Sequence, residues 1–430
     1  MTENTDKKRD RALLVGLNCG DLHDFDNSDR DTMDELSELL ITAGGECILE
    51  VMQNRHTPDP GTFIGKGKAE ELREIIRANE VNLTIFDNEL SPSQARALEE
   101  ALSCRVIDRT ALILDIFADR AKTREGKLQV ELAQYKYILP RLTGMWGHLV
   151  RQTASGGSSP IGTRGPGETQ LETDRRHIRR KIQALEQEIE DVRRVRSVQR
   201  RSRTKSRIPL VCLVGYTNAG KSTLLNALTG AGVHANDRLF DTLDPTTKLM
   251  QTESFGELLI SDTVGFIRKL PHHLIDAFRA TLEELTYADV LVHVVDASDP
   301  QWRMQSEVVE SLINQLGAEQ TPVVQVFNKC DLLAPDEMPR ERDAVCLSAK
   351  TGEGLTRLLE AVKKALDNGE HQVSFTLPYS DSAKLDMLYR DAKVLRAEYT
   401  DAGIEVEVVC DDVVKGRLSA YLPREKQPWE

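Results

Sequence analysis

The stretch IPLVCLVGYTNAGKSTLLNAL joins an apolar strand to a helical run through Gly215, Tyr216, Thr217, Asn218, Ala219, Gly220, Lys221, Ser222 and Thr223. Its spacing fits G-x-x-x-x-G-K-S, in the strand-to-helix context that such a loop requires. Glycines there let backbone N–H groups close around the α- and β-phosphates of a nucleotide. The lysine reaches the β- and γ-phosphates, and the next hydroxyl ligates Mg2+. Lys221 and Ser222 are the expected phosphate and Mg2+ contacts, but the loop alone implies only that a nucleoside triphosphate binds.

The pieces that follow arrive in an order and spacing that resembles Ras-like GTPases. LFDTLDPTT puts Thr246 where that family's first switch supplies a second Mg2+ ligand. LLISDTVGF ends a strand at Asp262, a Walker-B type carboxylate that completes the expected Mg2+ set. It runs on through Thr263 and Val264 to Gly265, whose N–H would meet the γ-phosphate. VVQVFNKCD places Asn328, Lys329 and Asp331 after an apolar strand. A carboxylate there accepts from guanine N1–H and the exocyclic amine, a donor pair that adenine lacks, so guanine specificity is expected from Asp331. CLSAKTG adds Ser348, Ala349 and Lys350, with the Ala349 N–H directed at the guanine carbonyl. Lys221, Thr246 and Gly265 are the expected catalytic groups. Phe266 stands where many Ras-like enzymes carry a water-orienting glutamine, and a phenyl ring cannot hydrogen-bond water, so slow intrinsic hydrolysis is expected. GTPases with a hydrophobic residue at this position resemble the chain, and several recruit K+ through a P-loop asparagine. Asn218 is in that place, either as a K+ ligand or as a cap of the loop.

These residues need elements to hold them. A chain of 430 residues, 40% hydrophobic and 29% charged, is a soluble globular protein of several domains. Apolar runs such as VLVHVV are too short to span a bilayer, and MTENTDKKRD has no apolar signal region, so a cytoplasmic location is expected. Seven scattered cysteines without a C-x-x-C pair argue against both a disulfide framework and a zinc site. Residues 1–121 read as a small parallel α/β layer, from the strands RALLVGLN, ECILEVMQ, VNLTIFD and CRVID and the helices DTMDELSELLITA, KAEELREIIRANE and RTALILDIFADRA. FIGKGKAEEL also places glycines before a helix, as a turn or a second nucleotide site. Residues 208–368 form the GTPase domain, and 369–430 a small α+β tail built from QVSFTL, AKLDMLYRDA, VLRAEYT and IEVEVVC.

Between them, residues 122–207 carry two apolar stripes at helical spacing: Leu128, Leu132, Tyr135, Leu139 and Leu142, then Ile178, Ile182, Leu185, Ile189 and Val192. They predict an antiparallel helical hairpin, its second helix starting near Thr169, where Thr169 to Glu172 fits a capping box, and running past Arg200. The tip holds Trp146, His148, Arg151 and Arg164 among Gly and Ser residues, a mixture that can stack on bases and contact phosphates. The basic run from Arg193 to Arg207 fits a linker as well as an RNA contact. The net charge of -13 would argue against a nucleic-acid partner only if it were evenly spread.

With RTALILDIFADRAKTREGKLQVELAQ, GTRGPGETQLETDRR, VGYTNAGKSTLLNAL, LDPTT and DTVGFIRKLPHHLIDAFRATLEE in place, the sequence resembles the HflX family of ribosome-associated GTPases along most of its length. The resemblance implies a monomeric, GTP- and GDP-binding factor that binds the large ribosomal subunit, both 23S rRNA and ribosomal proteins. It also implies ribosome-stimulated hydrolysis and the dissociation or rescue of stalled 70S particles, with the glycine-rich tip near the peptidyl-transferase region. A GTPase acting on another RNA, and a GTP-binding scaffold with negligible turnover, are the other two readings.

Overall fold

The computed structural model describes residues 9–20, 27–145, 166–206, 208–230, 232, 239–240, 243, 246–252, 256–271, 274, 285–341, 343–366, 371–381, 383–400, 403–410 and 412–422. The N-terminal layer is α/β, with strands β1 (Arg11–Cys19), β2 (Glu46–Arg55), β3 (Leu83–Phe86) and β4 (Arg105–Asp108) in one parallel sheet of order β2-β1-β3-β4. Around it lie helices α1 (Arg30–Thr42), α2 (Lys66–Ala78), α3 (Pro92–Leu102) and α4 (Arg109–Arg120). Strand side chains alternate between faces. Leu13, Val15 and Leu17 therefore join α2 and α3 in one core, while Ala12 and Leu14 join α1 and α4 in another. Helix α3 carries no apolar stripe long enough to stand out, yet Ser91-Pro92-Ser93-Gln94 was its signal: Ser91 caps it in a complete box with Gln94, and Pro92 lies in its first turn. Before α2, Asp59 and Phe63 bridge a turn over residues 60–62, and the Gly65 N–H is held by Gln53 at 3.0 Å.

The hairpin follows as α5 (Arg124–Met145) and α6 (Pro166–Ser206). Leu128, Leu132, Ile182, Leu185 and Ile189 close its seam, with Tyr135, Leu139, Ile178 and Val192 packed against it. The pairs Arg124–Glu188 and Glu131–Lys181 bridge the two helices with opposite chain direction, as an antiparallel pair demands. One expectation fails here: α6 begins at Pro166 and takes in Gly167, so Thr169 and Glu172 lie within the helix rather than opening it. Proline suits the first helical position because its missing N–H is not needed there. At about 1.5 Å per residue the 41 residues span roughly 60 Å.

The GTPase domain carries β5 (Leu210–Gly215), β6 (Thr246–Thr252), β7 (Gly256–Asp262), β8 (Val290–Asp296), β9 (Val323–Asn328) and β10 (Val345–Cys346), in the order β10-β9-β8-β5-β7-β6. All neighbours are parallel except the β6–β7 pair. Helices α7 (Lys221–Thr229) and α8 (Trp302–Gln315) and the short 3-10 turn Cys330–Leu332 belong with it, and α9 (Leu355–Leu366) lies almost wholly in the unit that follows. A separate C-terminal unit, residues 357–430, holds an antiparallel sheet of β11 (His371–Leu377), β13 (Gly403–Cys410) and β12 (Lys393–Thr400), with α10 (Ala383–Asp391) and α11 (Asp412–Arg417). Phe375, Leu388, Val406 and Val408 form its core. No described helix is long and apolar enough to cross a membrane.

The N-terminal layer and the GTPase domain share one apolar cluster, in which α4 meets Tyr216, Phe240, Phe266 and Ile267. Beside it Arg109, only 1% exposed, donates to Asp87 at 2.8 Å and to Glu35. Lys269 pairs with the other Asp87 oxygen, and Arg268 with Asp29 at 3.0 Å. Burial raises the Asp87 pKa, but Arg109, Lys269 and Ser28 outweigh it and hold the carboxyl below its ordinary value. Burial drives the Lys269 ammonium below its own ordinary value against the pull of Asp87. Removing one partner of such a cluster leaves buried charge uncompensated. Arg109→Ala should therefore cost about 3–5 kcal/mol in urea unfolding; a loss under about 1 kcal/mol would show that water compensates the carboxylates.

Candidate nucleotide site

The loop from Gly215 to Gly220 links β5 to α7 and is held from three sides. Lys221 donates to the Gly215 and Tyr216 carbonyls at 3.0 and 2.6 Å. Asn328, at the end of β9, donates to the Ala219 carbonyl and accepts from the Ala349 N–H, both at 2.9 Å. That places Ser348 and Ala349 beside the loop, with the Ala349 amide engaged by Asn328. Gly220 has φ +92, and a Cβ there would lie 2.2 Å from Asn328 Nδ2, so no other residue fits. Asn218 stands exposed at the crest with φ 61.

The proposed metal ligands converge. Ser222 Oγ donates to Asp262 Oδ2 at 2.6 Å, and the antiparallel β6–β7 register sets Thr246 directly opposite Asp262. Three oxygen-bearing side chains in one place are a hard donor set that fits Mg2+. Thr263 is turned away, its hydroxyl donating to the Leu213 carbonyl at 2.7 Å, while Val264 is buried.

The segment after Asp262 lies against the phosphate loop. Phe266 and Tyr216 form a bridge, with the Thr217 N–H donating to the Phe266 carbonyl at 2.8 Å and the Phe266 N–H to the Gly215 carbonyl at 3.1 Å. A Cβ at Gly265 would come within 2.9 Å of Thr217 Cα and 3.1 Å of Lys221 Nζ, which explains the glycine by close approach. The Phe266 ring is 2% exposed and serves the core, where it contacts no solvent that it could orient. Phe240, in the stretch before Thr246, meets Phe117 of α4 edge-to-face with centroids 4.7 Å apart.

The base side is more open. Lys329 pairs with Asp296 at 2.7 Å, and Asp331 and Lys350 are exposed. Thr223 is half-buried on α7. Trp146, His148, Arg151 and Arg164 lie outside the described residues. All seven cysteines are free, and no group of three His, Cys, Asp or Glu side chains that could hold a metal ion occurs among the described residues. Two features escape a motif search. The Tyr216 hydroxyl donates to Glu35, and His293 in β8 is buried behind the loop near Lys221.

Known proteins resemble this chain in sequence. Residues 210–329 match a profile described as a 50S ribosome-binding GTPase, residues 30–118 a GTP-binding GTPase N-terminal region, and residues 120–203 a GTP-binding GTPase middle region. "GTPase HflX" of Caldanaerobacter subterraneus subsp. tengcongensis is 46% identical over 422 residues, 98% of this chain and 95% of that protein. Its namesake in Escherichia coli K12 is 45% identical over 389 residues, 89% and 88% of the two chains. A solved complex of SsGBP with GDP covers 84% of this chain and 99% of its own at 23% identity, with a TM-score of 0.46.

Burial pushes the Lys221 amine down to about 8 against the attraction of Asp262. It pushes His293 down to about 4, helped by Lys221. A histidine whose folded pKa lies below its unfolded value contributes stability above the unfolded pKa of about 6.5, and that contribution is lost as pH falls toward the folded value. Between about pH 7 and pH 4.5 the natural protein should lose about 2 kcal/mol more than His293→Leu in urea titrations. Equal losses would place His293 in a wetter site.

Proposed function

The chain belongs to the HflX family of GTPases, on relatives 46% and 45% identical over most of its length, and from that premise we propose a ribosome-directed switch. It hydrolyses GTP to GDP and phosphate. In the proposed cycle the GTP form binds the large ribosomal subunit and dissociates or rescues stalled 70S particles, and hydrolysis releases the factor. The observation that carries the ribosomal half is the match of residues 210–329 to a 50S ribosome-binding GTPase.

Chemically, the loop amides and Lys221 take the phosphates, and Asp331 reads guanine with Lys329, Ser348 and Ala349 framing the base. Ser222, Thr246 and Asp262 would hold Mg2+, which neutralises charge on the β- and γ-phosphates. Gly265 brings its N–H to the γ-phosphate. Thr246 and the segment from Gly265 then differ in position between GTP and GDP states, and those positions set the affinity for the ribosome. Since Phe266 cannot orient water, ribosomal groups supply the missing catalytic help, and Asn218 would hold a K+ ion whose positive charge would add to it. At the hairpin tip Arg151 and Arg164 contact rRNA phosphates while Trp146 and His148 stack on bases.

Steady-state GTP turnover in K+ buffer should rise at least about tenfold when purified large subunits are added, which corresponds to about 1.4 kcal/mol of transition-state stabilisation. Lys221→Ala should abolish that turnover, and exchange of K+ for Na+ should lower it. No stimulation would leave a GTPase directed to another RNA, and no multiple turnover at all would leave a GTP-binding scaffold. Arg151→Ala with Arg164→Ala should weaken pelleting with large subunits and flatten its salt dependence; unchanged pelleting would remove the tip from the interface.

A further inference from the structure

The Tyr216 hydroxyl occupies a junction. It accepts the Arg268 N–H at 2.9 Å and donates to Glu35, which lies 181 residues away in α1. The backbone carbonyl of the same tyrosine accepts from Lys221 at 2.6 Å. One side chain therefore fixes the phosphate loop, the backbone three residues beyond Gly265, and a carboxylate of the N-terminal layer. The second Glu35 oxygen is held by Arg109, which is locked in turn by Asp87. Glu35 thus has little freedom of its own, and the tyrosine inherits that rigidity. Burial, Glu35 and the hydrogen bond to it hold the phenol well above its ordinary pKa, so it remains a donor across the working range.

A link that served the fold alone could be made of apolar contacts, which this interface already has in Phe117, Phe240 and Ile267. A polar link is directional instead, and directionality matters where an N–H must reach a γ-phosphate to within tenths of an ångström. We propose that Glu35 is a positioning residue for GTP hydrolysis, acting through the Tyr216 hydroxyl to fix the 265–268 backbone relative to the phosphate loop. Glu35 touches no phosphate; its effect is felt in the rate of the chemical step.

The test is a double-mutant cycle on the full-length protein, with Glu35→Gln, Tyr216→Phe and both together, read by single-turnover GTP hydrolysis, GDP affinity and thermal unfolding. Each single variant should slow hydrolysis about tenfold, the equivalent of one aligned hydrogen bond, with GDP affinity within about twofold. The double variant should be no slower than the slower single, because the two groups act in series. Asp108→Asn supplies the structural control: it weakens the buried hub of Tyr137 and Arg141, and should lower the melting temperature without changing the rate. Unchanged hydrolysis in either single variant, multiplicative losses in the double, or slowing in Asp108→Asn equal to that in Glu35→Gln would each overturn the assignment.

Discussion

A guanidinium cannot be neutralised at any pH that a protein survives, so burying Arg109 obliges the fold to bring carboxylates to it. The carboxylates are Asp87, at the end of β3, and Glu35, on the inner face of α1. Each has a second oxygen that also needs a partner, and those partners, Lys269 and Tyr216, belong to the GTPase domain. Satisfying one cation thereby spreads outward into a network that runs from the N-terminal layer into the phosphate loop and the segment after Gly265. The apolar cluster around α4 supplies the area, and the charges decide which way the surfaces register.

This arrangement gives the switch segments two environments at once. On one side they face the phosphate loop, through the Phe266 bridge and the Gly265 approach. On the other they meet the N-terminal layer: Arg268 pairs with Asp29 at the cap of α1, Lys269 with Asp87 at the end of β3, and the Phe240 ring packs on Phe117 of α4. In the proposed cycle, a change of nucleotide state that moved them would have to break or carry along their contacts with the N-terminal layer, which would let a phosphate be sensed outside the GTPase domain.

Much of this was legible in the chain. The apolar stripes from Leu128 to Leu139 and from Ile178 to Val192 become the hairpin seam, because a period near 3.6 leaves only one face to bury. The strands ending at Gly215 and at Asp262 follow equally from local pattern, whereas β6 and the pairing that sets Thr246 against Asp262 do not. The start of α6 did not either: the glycines around Pro166 suggested a later opening, whereas the helix begins at the proline, which suits a first helical position. Nor could the partnership of Glu35 with Tyr216 or of Asp29 with Arg268 be read, since residues 181 and 239 positions apart share no periodicity. An arginine heading the largely apolar RTALILDIF was the one local hint that a charge would be buried there.

The contact between Phe117 and Phe240 bears on inheritance as well. One ring belongs to the N-terminal layer and the other precedes Thr246 in the GTPase domain, yet they fill a single void edge-to-face. A smaller side chain at either position opens a cavity beside its partner. Across descendants of this gene the two sites should drift as one character, so a descendant that received one domain from elsewhere would carry a mismatch at the position that meets the other.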